Sequence, residues 1–148
     1  MVINVKRVLA TGTFDILHPG HIHYLTQAKK LGDELVVIVA RDCMIKHKPK
    51  PIIPEKQRAM IISQMKMVDN VIVGSDKDIF EPLKSINPDI IALGYDQHFN
   101  PSKLKEELDE RGFNPKIVRI TKFEECDMCS SGDIIKRIIK ISQHKKSR

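Results

Sequence analysis

The run from Glu34 to Ala40, ELVVIVA, constrains this chain more than any other stretch, because six apolar residues follow the glutamate without interruption. A half-buried strand alternates apolar and polar residues, whereas a short continuous β-branched run is a strand covered on both faces. Strands of that kind sit in parallel sheets, and parallel neighbours need crossover helices between them.

The rest of the chain supplies those elements in alternation. Val5 to Ala10 is a second apolar run and ends at Thr11-Gly12-Thr13, which reads as a buried first strand and its turn. Pro19 suits a first helical turn, and Ile22, Leu25 and Ala28 recur at helical spacing until Gly32. Beyond ELVVIVA, residues 41 to 53 are polar, basic and proline-bearing, and Pro54-Glu55-Lys56 opens a helix to about Met67. Then come a strand at Val71 to Val73, a helix at Ile79 to Ile86, and a strand at Ile90 to Leu93 closing on Gly94-Tyr95-Asp96. A helix from about Ser102 to Arg111, a strand at Lys116 to Ile120 and a helix from about Ser131 to Gln143 complete the chain. The expected fold is α/β: a single Rossmann-like doubly wound domain with a five-stranded, mostly parallel sheet flanked by helices. Its 148 residues suit one domain spanning 1–148, with a basic tail at 143–148.

Lys and Arg exceed Asp and Glu by six, which favours polyanionic ligands. Much of the excess lies in the Lys46 to Lys50 loop and in the tail from His144, which suits a local phosphate site plus a solvated tail better than a duplex-binding stripe. No nucleic-acid partner is therefore expected. No apolar run approaches a membrane span, and the first residues lack the succession of a secretory signal, so the expectation is a cytoplasmic protein without a membrane partner. Cys43, Cys126 and Cys129 are too few for a disulfide framework, and reduced thiols are expected.

In doubly wound sheets ligands collect at the carboxyl ends of the strands, where strand order reverses. The loops there are Thr11 to His21, Arg41 to Ile53, Gly94 to Phe99 and Phe123 to Ser131. The first contains Gly12-Thr13-Phe14-Asp15-Ile16-Leu17-His18-Pro19-Gly20-His21, which places two imidazoles at i and i+3 at a helix start, pointing to one side. Free amides and the helix dipole attract phosphate there by roughly 0.3 to 2 kcal/mol, and Gly20 has no side chain to block close approach. Histidines in this place can donate hydrogen bonds to phosphate oxygens whose charge grows as pyrophosphate leaves, chemistry that needs positioning and electrostatics and no protein nucleophile. A zinc site or a helix cap is the other reading of the pair; it lacks a nearby thiol, while Asp15 keeps the zinc option open.

The ten-residue string GTFDILHPGH resembles the HxGH signature of the cytidylyltransferase-like nucleotidyltransferases, in the same order of strands and loops over nearly the whole chain. The resemblance implies that Thr13 and Phe14 contact nucleotide through the turn, and that His18, Pro19, Gly20 and His21 hold the triphosphate around its α-phosphate. It implies a basic loop over the phosphates, where Lys46, as a catalytic group, and Lys48 stand; either lysine could also be part of an ordinary solvated charge run. Arg58 matches an arginine carried on the next helix and is a possible phosphate ligand, its alternative being a surface ion pair. Asp96 resembles an acid lining the nucleoside pocket, positioned to accept ribose hydroxyls, or else it caps a turn. Ser130 and Ser131, opening the last helix, match hydroxyls that reach the triphosphate. An arginine that cytidylyltransferases carry before them is missing, with Glu125 near its place, which weakens CTP as the nucleotide.

Cys126 and Cys129 form a lone CxxC, which is a weak zinc signal and is open to redox, reactive or packing roles. A cysteine pair before a serine-rich helix start, following ALGYDQ, resembles the archaeal FAD synthases. That resemblance implies transfer of AMP from ATP to FMN, giving FAD and pyrophosphate, with a divalent cation, Mg²⁺ for preference, accompanying ATP and no residue-level metal ligand assigned. It is compatible with a homodimer. For the flavin's flat apolar slot the sequence offers Phe14, Tyr95, Phe99 and Phe123 but does not arrange them. The alternatives carried forward are glycerol-3-phosphate cytidylyltransferase or another HxGH nucleotidyltransferase, and a non-catalytic nucleotide- or RNA-binding module.

Overall fold

A computed structural model describes residues 3–146. Five strands form one parallel sheet: β1 (Arg7–Gly12), β2 (Glu34–Val39), β3 (Asn70–Val73), β4 (Ile90–Leu93) and β5 (Lys116–Arg119), in spatial order β3-β2-β1-β4-β5. The helices are α1 (Pro19–Lys29), α2 (Glu55–Ser63), α3 (Leu83–Ile86), α4 (Pro101–Glu110) and α5 (Ser131–Lys146), with a 3₁₀ turn at Asp42–Met44.

Alternate residues of each strand point to opposite faces, and both faces are covered. Val8, Ala10, Leu35, Val37 and Val39 pack with Tyr24, Leu25 and Ala28 of α1 and with Ile62 of α2. Leu9, Val36, Ile38, Ile91 and Leu93 pack on the other face with Phe80, Leu83 and Ile86, and with Leu104 and Leu108 of α4. The unbroken apolar run ELVVIVA is thus explained: β2 has no solvent face. Chain order runs outward from β1 through β2 to β3, then returns past β1 to β4, so the reversal falls at the carboxyl end of β1.

Several boundaries differ from those read in sequence. β1 continues through Thr11 and Gly12, because these pair with Ile38 and Val39 of β2. In α1 the buried positions are Tyr24, Leu25 and Ala28, and Ile22 is exposed. α2 stops at Ser63, where Gln64 and Met65 donate to the carbonyls three residues back, tightening the last turn. Only Leu83–Ile86 of the expected Ile79 to Ile86 helix is helical: Asp78 Oδ1 takes the amide of Phe80, and Pro82 restricts the residue before it. The basic tail expected from residue 143 is helical to Lys146, and residues 147–148 lie outside the described residues. Among the described residues no helix is long and apolar enough to cross a membrane.

Candidate active site

The site is built outward from the end of β1. The chain leaves Gly12, turns through Thr13 to Leu17, and enters α1 at Pro19 with His18 as extended N-cap (φ −147°, ψ 169°). Pro19 fits the first helical position because an amide there would have no helical partner. One turn on, the amide of His21 donates to the His18 carbonyl at 3.0 Å, and His21 Nδ1 lies 3.4 Å from the His18 amide, accepting from it. The two imidazoles stack, with centroids 3.8 Å apart and planes 24° from parallel. Gly20 makes room for this stack: a Cβ there would lie 2.9 Å from the His18 ring.

Burial governs the charge of both rings. Desolvation lowers the His18 pKa from its usual value, with Asp96 opposing in part. His21 falls to about 3, first through desolvation, then through His18 and Lys48, against a small opposing effect of Asp15. His21 is therefore neutral at pH 7. Since His21 Nδ1 accepts a backbone hydrogen, its proton sits on Nε2 and faces away as a donor. Among the described residues His18 Nδ1 is buried with no hydrogen-bond partner. Beside these rings lie the Gly20 amide of the first turn and the positive end of the α1 dipole, a natural seat for phosphate.

The basic loop is a strap fixed at both ends. At one end the 3₁₀ turn is held by Arg41 Nη1 on Glu55 (3.0 Å) and by the Asp42 amide on Glu55 (2.8 Å). At the other, the Asp15 carboxylate accepts the amides of Ile52 (2.9 Å) and Ile53 (2.8 Å). Asp15 thus ties the histidine turn to the backbone of the strap. Lys46 to Lys50 lie exposed between these anchors. Of the two lysines singled out in sequence, Lys48 is the one whose charge is felt at His21, and Lys46 is exposed on the same strap.

Arg58 requires a correction. It is neither a phosphate ligand nor half of a surface ion pair: it is 1% exposed, and its guanidinium donates to the carbonyls of Ile53, Thr13 and Ala40 and to the Asp42 carboxylate. A buried charge with four acceptors is a strut joining the histidine turn, the end of β2 and the strap. Thr13 is tied into the site through that carbonyl. Phe14 is 3% exposed and lies beneath the site, which leaves the backbone of the turn as its only surface for nucleotide.

The opposite wall is the loop after β4. Gln97 accepts the Gly94 amide at 2.8 Å and donates to the Thr11 carbonyl at 2.7 Å, stitching the loop to β1. Arg119, at the end of β5, donates to the carbonyls of Gly94, Gln97 and Phe99 at 2.7 to 2.9 Å. Neither was legible in the sequence as part of the site; the signal for Arg119 was a cation at the carboxyl end of a short strand, and for Gln97 there was none. Asp96 is exposed on this loop, close enough for its charge to act on His18. Tyr95 (48% exposed) and Phe99 (37%) remain open, with the Lys122 ammonium 6.0 Å from the Tyr95 ring centroid. Phe123 stacks on His23, centroids 4.9 Å apart. Of the aromatic residues proposed for a flat slot, Phe14 alone is buried.

The fourth loop reaches the histidine turn through the start of α5. Ser131 Oγ donates to the Ile16 carbonyl at 3.0 Å, so its proton is used in a tether. Ser130 Oγ accepts the Asp133 amide at 3.3 Å, which leaves its own hydrogen free to donate. Cys126 and Cys129 are joined as a disulfide, with Cα atoms 5.6 Å apart, against the expectation of reduced thiols. Two neighbouring sulfurs in one short loop meet readily once that loop is folded, and bonded to each other they offer no thiolate to a metal. Cys129 abuts the histidine turn: its Cβ would lie 3.4 Å from a Cβ placed on Gly20.

Residues 9–137 match the family model described as cytidylyltransferase-like, a span that includes the histidine turn, the strap, the β4 loop and the first turns of α5. The chain belongs to the cytidylyltransferase-like family. Within it, the chain is 62% identical over 135 residues to a protein of Archaeoglobus profundus named FAD synthase, covering 91% of this chain and 87% of that one. It is 60% identical over 136 residues to another of that name from Methanosarcina acetivorans, covering 92% and 90%. Among solved structures, the lipopolysaccharide core biosynthesis protein of Thermoplasma volcanium superposes with a TM-score of 0.79 at 48% identity, over 82% of this chain and all of the other. The five-stranded parallel sheet is thus the family's fold, in agreement with the expectation from the alternating runs.

Proposed function

We propose that this chain is an FAD synthase, an enzyme that transfers AMP from ATP to FMN. An oxygen of the FMN phosphate attacks the α-phosphorus of ATP in line, the new P–O bond forms as the bond to the β-phosphate bridging oxygen breaks, and pyrophosphate leaves. The likeness to proteins named FAD synthase, at 56 to 62% identity over nine-tenths of the chain, supports ATP and FMN as the substrates over CTP and glycerol 3-phosphate.

The observation that carries the mechanism is the stacked histidine pair at the start of α1. Negative charge grows on the leaving pyrophosphate oxygens during transfer, and fixed donors aimed at it stabilise the transition state without reorganising. His21 Nε2–H is such a donor, as is the Gly20 amide of the first turn. Lys48 and Lys46 on the strap add positive charge, and the Ser130 hydroxyl, just before α5, has a hydrogen to donate. Asp96 and the clamped β4 loop line the nucleoside side. His18 and His21 are accordingly assigned as catalytic residues, together with a strap lysine.

A divalent cation, Mg²⁺, would accompany the triphosphate and offset its charge. The fit is to a nucleotide-borne ion: among the described residues no group of three His, Cys, Asp or Glu could hold a metal, and Asp15 is committed to the strap. The nucleotide's own oxygens and water would complete its coordination.

The test is mass detection of products after incubation with ATP, CTP, FMN and glycerol 3-phosphate together. FAD and pyrophosphate are expected; CDP-glycerol in place of FAD overturns the acceptor and the nucleotide at once. Release of no pyrophosphate, with tight and steeply salt-dependent RNA binding, would make the chain a non-catalytic module.

A further inference from the structure

Phe14 occupies a backbone conformation that its residue type rarely adopts. Its φ is +53°, and among the described non-glycine residues the only other positive value is at Asn87, which ends α3 in the ordinary left-handed way. For a bulky side chain this region is disfavoured, and such a residue persists only where its surroundings impose it.

The surroundings here are specific. The Phe14 ring lies 5.4 Å from the His21 ring, tilted by 58°, and stacks on Tyr24 at 6.4 Å. Tyr24 is itself fixed, its hydroxyl donating to the Ala92 carbonyl at 2.6 Å where β1 and β4 part. On its other flank the ring presses against Gly12, where a Cβ would come within 2.9 Å of it. The left-handed turn therefore places the ring between a rigid core and a site histidine. An ordinary backbone at position 14 would carry the ring elsewhere and leave His21 with only His18 stacked against it.

We propose that Phe14 is a positioning residue for the transfer reaction: its ring, held by the left-handed turn, fixes the tilt of the His21 imidazole and keeps water from the ring's inner side. This rests on His21 being a donor to the reacting phosphates. The charged and titratable groups that face His21 are His18 within the motif, Lys48 from the strap and Asp15 from the turn; Phe14 is the apolar wall among them. Without that wall the imidazole gains both rotational freedom and hydration.

The experiment compares Phe14→Leu and Phe14→Gly with the unaltered chain. Leucine removes the flat ring and keeps apolar bulk, while glycine suits the left-handed turn and removes the side chain altogether. In both variants kcat is expected to fall about tenfold or more with KM for ATP within about threefold, as for a misplaced group that acts in the transition state. NMR titration of the ligand-free chain, read only over the pH range in which the backbone amide spectrum shows each variant folded, supplies a second readout: the His21 pKa, about 3 in the intact site, is expected to rise by at least about one unit in each variant. Full kcat in Phe14→Gly, or a His21 titration unchanged in the variants, overturns the inference. Absence of FAD formation by the unaltered chain would instead count against the proposed function, and the two failures are thereby distinguishable.

Discussion

His18 and His21 lie ring over ring, centroids 3.8 Å apart, where the chain passes from the end of β1 into α1. The His18 ring fills the space that Gly20 leaves open, and Phe14 lies against the His21 ring. Replacing either histidine by alanine is expected to reduce kcat by about 10²-fold or more, the scale of losing one transition-state donor. Circular dichroism and thermal unfolding should show the fold retained. Turnover within a few-fold of normal would contradict the assignment.

The buried imidazoles also link stability to pH. The His21 pKa is about 3 in the folded chain against 6.5 when unfolded, so on acidification the unfolded state takes up the proton first. The stability associated with this ring is complete above pH 6.5 and is lost progressively down to about pH 3, at no more than about 1.4 kcal/mol per pH unit. His18 is lowered in the same direction and adds to the slope. Unfolding measured from pH 8 to pH 4 should steepen below 6.5, and His21→Gln should flatten it. An identical slope in that variant would mean that His21 is not the group responsible.

Gly20 offers a test that removes no functional group. An added methyl would stand 2.9 Å from the His18 ring, so Gly20→Ala must displace the imidazole while leaving both histidines in place. Turnover is expected to fall roughly tenfold or more. Because the position is only partly buried, the melting temperature should change little. Normal kinetics would show that the stacked arrangement is not required.

Much of this site was legible before any coordinates, because its chemistry is local in sequence. The ten residues from Gly12 to His21 hold both imidazoles, the helix start and the glycine between them, and ELVVIVA identified a strand buried on both faces. What was not legible depends on long-range partners. Arg58 reads as a surface or phosphate-facing cation until the carbonyls of Thr13, Ala40 and Ile53, far apart in sequence, are seen to converge on it. Phe14 reads as a pocket aromatic until its left-handed backbone is known, and Gln97 gives no sign that it reaches back to Thr11. Ser130 and Ser131 are indistinguishable by type, yet only one of the two has its proton committed.

Arg58→Met fills much of the same volume but leaves three carbonyls and the Asp42 carboxylate without their donor, and is expected to destabilise the chain by about 3 kcal/mol or more. Chemical denaturation measures this directly. Unchanged stability with weakened ATP binding would return Arg58 to the phosphates.

The most direct test of the whole account is a crystal structure with FMN and an ATP analogue whose α,β-bridge cannot be cleaved. The α- and β-phosphates are expected at the start of α1, with His21 Nε2 and His18 within hydrogen-bonding distance of their oxygens and the FMN phosphate in line with the α-phosphorus. Phosphates bound away from this turn, with both imidazoles making no contact to them, would contradict it.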